Sequence, residues 1–326
     1  MTKNIYTFAD LFAGIGGMRY AFERHGHCEC VFSSEINKHA KTTYMLNFPE
    51  NKERADHIFN DNILNILTKN IPDHDILLAG FPCQPYSIAG LRKGLNDERG
   101  GDIFKKVIDI LQIKKPKAFL LENVRGMLNH DQGRTINYMV DELKGCGYQV
   151  LPPTILNSST HANVPQNRER AFVVGFMDPS KASAFIFPPK IALKKTIHDC
   201  LEVNQVDSDF YYTDRFGCYE VLKDEIKSRD TIYQWRRMYV RENKSNACPT
   251  LTANMGSGGH NVPLIKDEYG IRKLTPQETA NFQGFPNKHK LPDIANSHLY
   301  HQFGNSVTVP LIKKLANKIL KALQDA

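Results

Sequence analysis

The chain has 326 residues, 41% hydrophobic and 24% charged, with a net charge of +7; this is ordinary globular composition, long enough for about two domains with a sizeable core. No apolar run approaches the roughly 20 residues that span a bilayer, and MTKNIYTFADLF lacks a secretory-signal pattern, so neither a membrane-spanning nor a secreted chain is expected. Seven scattered cysteines without CxxC pairs argue against a disulfide framework or a zinc site and for a reducing cytoplasm, and the mild basic excess fits a polyanionic partner without requiring one.

The first half alternates strand-like and helix-like segments. IYTFADLF (5–12) reads as a buried strand ending at a glycine-rich turn, CECVFSSE (28–35) as a second strand, and NKHAKTTYMLNF (37–48) as a helix. DILLAGF (75–81) and KAFLLENV (117–124) are short apolar runs bounded by turn residues, as central parallel strands should be. DIFKKVIDIL (102–111) and RTINYMVDELKGCG (134–147) have helical spacing, the second closing on Gly147, and RAFVVGF (170–176) is another strand. This alternation predicts an α/β fold with a doubly wound, mostly parallel, Rossmann-like sheet. The pattern changes near FPPK (187–190) and becomes polar and irregular to about Gly270, which predicts a second, smaller domain. TPQETANFQGF (275–285) returns to helical spacing with Thr275 as cap and Pro276 at the first position, and VPLIKKLANKILKALQ (309–324) is an amphipathic helix. The expected boundaries are 1–188 plus 302–326 for the catalytic and cofactor-binding domain, 189–271 for a recognition domain, and 272–301 for a bridging segment.

Two groups of residues carry chemistry. The first strand runs into Asp10-Leu-Phe-Ala-Gly14-Ile-Gly16-Gly17, and Glu35 ends the next strand about 20 residues on, where a carboxylate binds ribose hydroxyls. A glycine turn alone is also an ordinary strand–helix connection; with Glu35 it points to a nucleotide-type cofactor, NAD included. Asp61, beyond the next helix, is placed to receive an adenine amino group. DILLAGF ends in Pro82-Cys83-Gln84-Pro85-Tyr86-Ser87, at the strand edge where such sheets bind ligands. A buried cysteine is more often inert, but flanking prolines and the polar stretch GLRKGLNDERGG (90–101) favour a nucleophile. Glu122-Asn123-Val124 ends the next strand as a candidate acid, and Arg168 and Arg170 in QNRER (166–170) are suited to a base oxygen or phosphates.

These segments together resemble the bacterial cytosine-C5 DNA methyltransferases of restriction–modification systems. The matching elements are DLFAGIGG (10–17), Glu35, Asp61, GFPCQPYS (80–87), ENV (122–124), QNRER (166–170), RKLTPQETANFQGFP (272–286) and QFGNSVTVP (302–310), in the family's order. The resemblance implies that Phe12, Gly14, Gly16, Glu35, Asp61, Pro82 and Asn305, with their neighbours Ile15, Gly17, Ile36 and Asn62, surround S-adenosyl-L-methionine, leaving S-adenosyl-L-homocysteine as product. It implies that Cys83 is the nucleophile, that Glu122, Arg168 and Arg170 hold the cytosine, and that Gln84 to Arg99 form a loop closing over DNA, with Gln84, Ser87, Arg92 and Arg99 in contact. It also implies that the C-terminal helix packs on the catalytic domain. Asn60 stands before Asp61 where the family often has glycine.

The implied chemistry explains the residue types. Cytosine C5 is a poor nucleophile until a thiolate adds at C6, and cysteine supplies one. The ring must then accept electron density at N3, which a protonated carboxyl such as that of Glu122 assists, with Arg170 and Arg168 on O2. The base must leave the duplex first, at a cost of a few kcal/mol. Segment 191–271 carries 11 Lys and Arg against 12 Asp and Glu, so its positive charge is local: Gln234, Arg236, Arg237 and Arg241, among aromatics, are candidate base readers, with Thr250 of the Pro249-Thr250-Leu251 run. The expected partner is double-stranded DNA, read by a cytoplasmic bacterial monomer without an obligatory protein partner or metal. The alternatives are a tRNA cytosine-C5 methyltransferase on the same scaffold and a catalytically inactive DNA-binding regulator; the sizeable segment between QNRER and RKLTPQE disfavours the first, and the presence of Cys83 and Glu122 the second.

Overall fold

Every apolar run read above as a strand is one in the computed structural model, which describes residues 5–24, 26–49, 57–82, 98–236, 238–257 and 262–324. The chain forms two units, Met1–Leu156 with Glu169–Pro188 and Ile312–Ala326, and Asn157–Arg168 with Pro189–Leu311.

Unit 1 begins β1 (Tyr6–Leu11), α1 (Gly17–Glu23), β2 (Cys28–Ser34), α2 (Lys38–Asn47), β3 (Ile58–Asn60) and β4 (Ile76–Ala79). It continues α3 (Glu98–Lys114), β5 (Ala118–Val124), α4 (Arg134–Gly145), β6 (Gln149–Val150) and β7 (Thr154–Asn157). After α5 (Ser158–Ala162) and β8 (Gln166–Asn167), which belong to unit 2, it resumes with β9 (Glu169–Phe176) and α6 (Pro179–Ala184). Among the described residues its strands form one sheet in the order β3-β2-β1-β4-β5-β9-β6, with β7 on β9. β3, β2, β1, β4 and β5 are mutually parallel, whereas β9 is antiparallel to β5 and to β6. The chain starts at β1, moves outward to β2 and β3, and then returns to β4 and β5 on the other side. Strand order therefore reverses between β1 and β4, and in open α/β sheets the ligand crevice lies outside the carboxyl ends at such a reversal.

Alternation along the strands sets the packing. Ala9 and Leu11 of β1, Leu77 and Ala79 of β4, and Phe119 and Leu121 of β5 share one core with Phe104, Val107 and Leu111 of α3 and Met139 and Leu143 of α4. Each such large side chain contributes roughly 1.5–3 kcal/mol of burial. Phe8 turns the other way, its ring centroid 5.6 Å from that of Phe22 in α1. Gly147, at φ 93°, follows α4 in the left-handed conformation that closes many helices.

Unit 2 contains α7 (Tyr219–Glu225), β10 (Ile232–Trp235), β11 (Val240–Asn243), β12 (Cys248–Pro249), β13 (Leu264–Lys266) and β14 (Ile271–Lys273). α8 (Pro276–Phe282) and α9 (Asn296–Asn305) follow, and then α10 (Val309–Gln324), which belongs to unit 1 from Ile312 onward. β11-β10-β13-β14 form an antiparallel sheet over Leu222, Ile226, Tyr233, Leu264 and Ile271, and β12 pairs in parallel with β8. Thr275 caps α8 in a reciprocal capping box with Glu278.

The division differs from the expected boundaries at two places. Residues 157–168 and all of 272–311 belong to unit 2 rather than to the catalytic domain or a bridge. Hydrogen bonds between residues far apart in sequence hold them there: Gln166 donates to the Phe282 carbonyl at 2.7 Å, and Ser158 to Thr308 at 2.8 Å. No local periodicity reports such pairs.

A buried ion cluster anchors the start of α8. The Arg272 guanidinium donates to both oxygens of Glu278 at 2.7 Å and to Asp267 at 2.6 Å. Glu278 also accepts the Thr275 and Glu202 N–H groups. Removing the cation leaves a sealed carboxylate without its counter-charge, which costs about 3–5 kcal/mol. Arg272→Met should therefore lower the urea midpoint of unit 2 by that equivalent, and an unchanged midpoint would contradict the assignment.

Candidate active site

The turn after β1 is built from left-handed residues. Phe12, Gly14 and Gly16 have φ of 58°, 56° and 84°. A phenylalanine held there costs on the order of 1 kcal/mol, and packing against the core offsets it. A Cβ on Gly16 would fall 2.3 Å from the Phe48 ring, while one on Gly14 would meet nothing within 4 Å among the described residues. One side of the turn is thus filled by protein and the other is open. Glu35, just beyond β2, fixes the turn: one carboxylate oxygen accepts the Gly14 N–H at 2.8 Å and the other the Asn37 N–H at 2.7 Å. Ile36 beside it is 70% exposed. An open glycine turn, an anchored carboxylate and an uncovered apolar side chain fit a nucleoside: the carboxylate for ribose hydroxyls, the isoleucine for a base face.

The other expected cofactor residues fall into distinct positions. Ile15 and Gly17 are buried and serve the turn and the start of α1. Asp61 is exposed after β3 and pairs with the Lys41 ammonium. The Asn62 side chain accepts the Leu64 N–H at 3.0 Å, capping the short helical turn that follows. Pro82 is exposed beyond β4, and Asn305 is exposed at the end of α9, its amide 3.4 Å from the His301 ring.

The carboxyl edge of unit 1 also carries Glu122 and Arg170, two of the candidate reactive groups. Phe81 anchors the chain leaving β4: its ring is buried in the core, and its carbonyl accepts the Asn123 amide at 3.0 Å. One residue away, Glu122 is nearly enclosed, and the Arg170 Nε lies 3.0 Å from its Oε1. In the β5–β9 register Glu122 faces Phe172 and Val124 faces Arg170, so Glu122 and Arg170 are diagonal neighbours on one face. A Cβ on Gly80 would stand 3.5 Å from the Glu122 carboxylate, so the strand leading to the expected nucleophile passes directly beside this pair. Cys83, Gln84, Ser87, Arg92 and Arg237 lie outside the described residues, as does the side chain of Arg99.

Arg168 corrects an expectation. Expected to hold the target base, it is 1% exposed, and its guanidinium turns into unit 2, donating to the carbonyls of Leu251, Gly304 and Ser306 at 2.7, 3.0 and 2.6 Å. Gln166 is likewise internal, accepting the Leu251 N–H at 3.2 Å. Alternate residues of QNRER thus serve different ends: Gln166 and Arg168 build unit 2, and Arg170 reaches Glu122.

Among the expected DNA-contacting residues, Gln234 and Arg241 are cross-strand partners on β10 and β11. They face away from the side on which Tyr233, Trp235 and Val240 pack against the unit 2 core. Arg236 follows in the connecting loop, exposed, its guanidinium 3.1 Å from the Gln234 side-chain oxygen. This presents a paired glutamine–arginine face with a second arginine at its end. Thr250 donates its hydroxyl to the Asn167 carbonyl at 2.7 Å, which fixes it against β8.

One buried acid was not singled out from the sequence. Asp10, 1% exposed near the end of β1, has a carboxylate oxygen without a hydrogen-bond partner among the described residues. Burial pushes its pKa up to about 8; Arg19 opposes this, and Glu35 and Glu23 add to it. The DLF run that places it reads only as the end of a strand, so its burial was not visible locally.

Comparison with known proteins places these features in context. Residues 6–321 match the family described as C-5 cytosine-specific DNA methylase. The chain is 47% identical over 317 residues to the Type II methyltransferase M.Bsp6I of Bacillus sp. (strain RFL6), covering 97% of this chain and 98% of that one. It is 40% identical over 321 residues to the Type II methyltransferase M.DsaV of Dactylococcopsis salina, covering 98% and 87%. Its fold matches that of the S. pombe Dnmt2 methyltransferase with a TM-score of 0.74 at 22% identity, covering 98% of this chain and all of that one.

Asp10 generates a pH-dependent prediction. The unfolded group ionises near 3.8 and the folded one near 8. Between those values only the folded state holds the proton, so this group's contribution to stability falls as pH rises through that window. Asp10→Asn, which keeps the shape of the neutral acid, should raise the melting temperature at pH 8 and have little effect near pH 4. Equal shifts at both pH values would show that Asp10 is not held neutral.

Proposed function

The chain belongs to the C-5 cytosine-specific DNA methylase family, and we propose from that premise that it transfers a methyl group from S-adenosyl-L-methionine to C5 of a cytosine extruded from a short duplex DNA sequence. The observation that carries this reading is the Glu122–Arg170 pair beside the anchored Phe81, two residues before Cys83 in the sequence.

Each group has a definite part in the reaction. The Cys83 thiolate adds to C6, and the electron pair of the C5–C6 double bond moves into the ring toward N3. Glu122, protonated in the complex with the base, donates its proton to N3 as charge builds there, and the carboxylate left behind is neutralised by the adjacent Arg170 guanidinium; the proton returns when the ring's aromaticity is restored. Arg170, already aligned with Glu122, donates to O2 and holds the pyrimidine edge in register. The resulting enamine carbon C5 becomes the nucleophile that takes the methyl. A base then removes the C5 proton, the C5–C6 double bond re-forms and Cys83 leaves as thiolate.

S-adenosyl-L-methionine supplies the electrophilic methyl on a sulfonium sulfur, with S-adenosyl-L-homocysteine as product. The Phe12–Gly16 turn, Glu35 and Ile36 fit its adenosine part, and Asp61, Pro82 and Asn305 are the further contacts assigned to it. On the duplex, Gln234, Arg236 and Arg241 suit base edges in the major groove, where arginine pairs with guanine and glutamine with adenine. The bacterial Type II methyltransferases to which the chain is similar support a protective role beside a restriction enzyme; the same reading makes the protein a cytoplasmic monomer.

The test uses Cys83→Ser. Transfer of labelled methyl to duplex DNA should fall by on the order of 10⁴-fold or more, while calorimetric binding of S-adenosyl-L-homocysteine stays within a few fold of wild type. Retained turnover would overturn the covalent route. Label transferred by the wild-type protein to tRNA and not to duplex DNA would overturn the assignment of substrate.

A further inference from the structure

Arg168 stands at the centre of a buried polar hub within unit 2. The two carbonyls that its Nη2 reaches, Gly304 at 3.0 Å and Ser306 at 2.6 Å, flank Asn305. The carbonyl that its Nη1 reaches, Leu251 at 2.7 Å, follows Thr250. One guanidinium therefore ties the main chain on both sides of the assigned donor contact to the main chain beside an assigned DNA contact. Its planar fork offers rigid N–H donors in several fixed directions, which suits three separated carbonyls; an ammonium on a flexible stem does not reproduce that geometry.

Independent packing joins the same two segments. A Cβ on Gly304 would fall 2.2 Å from the carbonyl carbon and oxygen of Thr252 and 2.4 Å from the nitrogen of Ala253. The end of α9 thus lies against bare backbone, and neither segment shifts without the other. Gln166 and Gln283 extend the join. Gln166 accepts from the Leu251 N–H at 3.2 Å and donates to the Phe282 carbonyl at 2.7 Å, and Gln283 donates to the Phe303 carbonyl at 2.6 Å. Thr250 closes it from the other side through the Asn167 carbonyl at 2.7 Å.

We propose that Arg168 is a positioning residue that locks the Asn305 turn and the Thr250–Leu251 run into one body, so that methyl donor and duplex assist each other's binding through it. This rests on the reading of Asn305 as a donor contact and Thr250 as a DNA contact. In this role Arg168 acts through the carbonyls that it holds. Bound donor holds the Asn305 turn, the guanidinium carries that order to Thr250, and the duplex meets a reading segment already ordered. Linkage requires the reverse effect to be equal.

The test measures S-adenosyl-L-homocysteine affinity by calorimetry, for the full protein alone and saturated with a duplex carrying the site that bisulfite sequencing identifies. In the wild type the duplex should tighten binding by about 5-fold or more. In Arg168→Lys, checked for native circular dichroism and a cooperative melt, that ratio should fall to near one. A merely structural arginine would lower stability or the active fraction and leave the ratio of the folded protein unchanged. A wild-type ratio of one, or a wild-type ratio retained in folded Arg168→Lys, overturns the proposal. If Arg168→Lys does not fold, Thr250→Val, which removes an exposed hydroxyl bond from the same body, must lower the ratio, and no change overturns it. Asn305→Ala keeps the two levels apart: unchanged homocysteine-product affinity in that variant would refute the donor contact itself, whereas a lost ratio in Arg168→Lys with a weakened Asn305→Ala supports both.

Discussion

The Glu122–Arg170 pair of the candidate active site depends on one reversal of strand direction. β9 begins at Glu169 and runs antiparallel to β5, so Arg170 at its start lies beside Val124 and Glu122 at the end of β5. A parallel strand with the same sequence would carry Arg170 to the opposite edge of the sheet. The reversal sets a guanidinium 3.0 Å from a carboxylate at the edge where β4 delivers the chain toward Cys83. Asn123 holds the Phe81 carbonyl, Gly80 lies against the Glu122 carboxylate, and the strand order reverses between β1 and β4 at the same edge, where such sheets take ligands. A nearly enclosed ion pair is a costly element unless its partners stay aligned, and two adjacent hydrogen-bonded strands provide that alignment.

The same short motif serves two structural ends. In QNRER the unit boundary falls between Arg168 and Glu169. Before it, Gln166 and Arg168 bond inward to main-chain groups of unit 2; after it, Glu169 pairs with Arg125 and Arg170 with Glu122 in unit 1. Polar groups this deeply buried cost several kcal/mol without partners, so Gln166, Arg168 and Gln283 specify one arrangement of the 251, 282 and 304–306 segments. Residues that look like ligand contacts by type are here the frame that holds candidate contacts in place.

Much of the fold was legible because it is local. The helix read over 309–324 is α10 over the same residues, Thr275 and Pro276 open α8 as their types require, and each apolar run of the first half is a strand. The link between the glycine turn and Glu35 was legible too, since a glycine turn followed about 20 residues later by a carboxylate encodes that geometry in spacing. The direction of β9 was not, because RAFVVGF is equally apolar in either orientation. The roles of Arg168 and Asn62 were hidden for a related reason: the first is decided by carbonyls 83 to 138 residues away, the second by the helical turn that its own side chain caps. Asp10 was invisible because nothing in DLF announces that its carboxyl is sealed.

In the proposed reaction Glu122 and Arg170 act on the pyrimidine as one unit. A double-mutant cycle on single-turnover methyl transfer tests it directly, using Glu122→Gln, Arg170→Met and the combination under saturating donor and duplex. The pairing predicts strong non-additivity, with the double variant scarcely slower than the slower single variant. A double variant slowed by the full product of the two single effects would contradict it, because the two groups would then act independently.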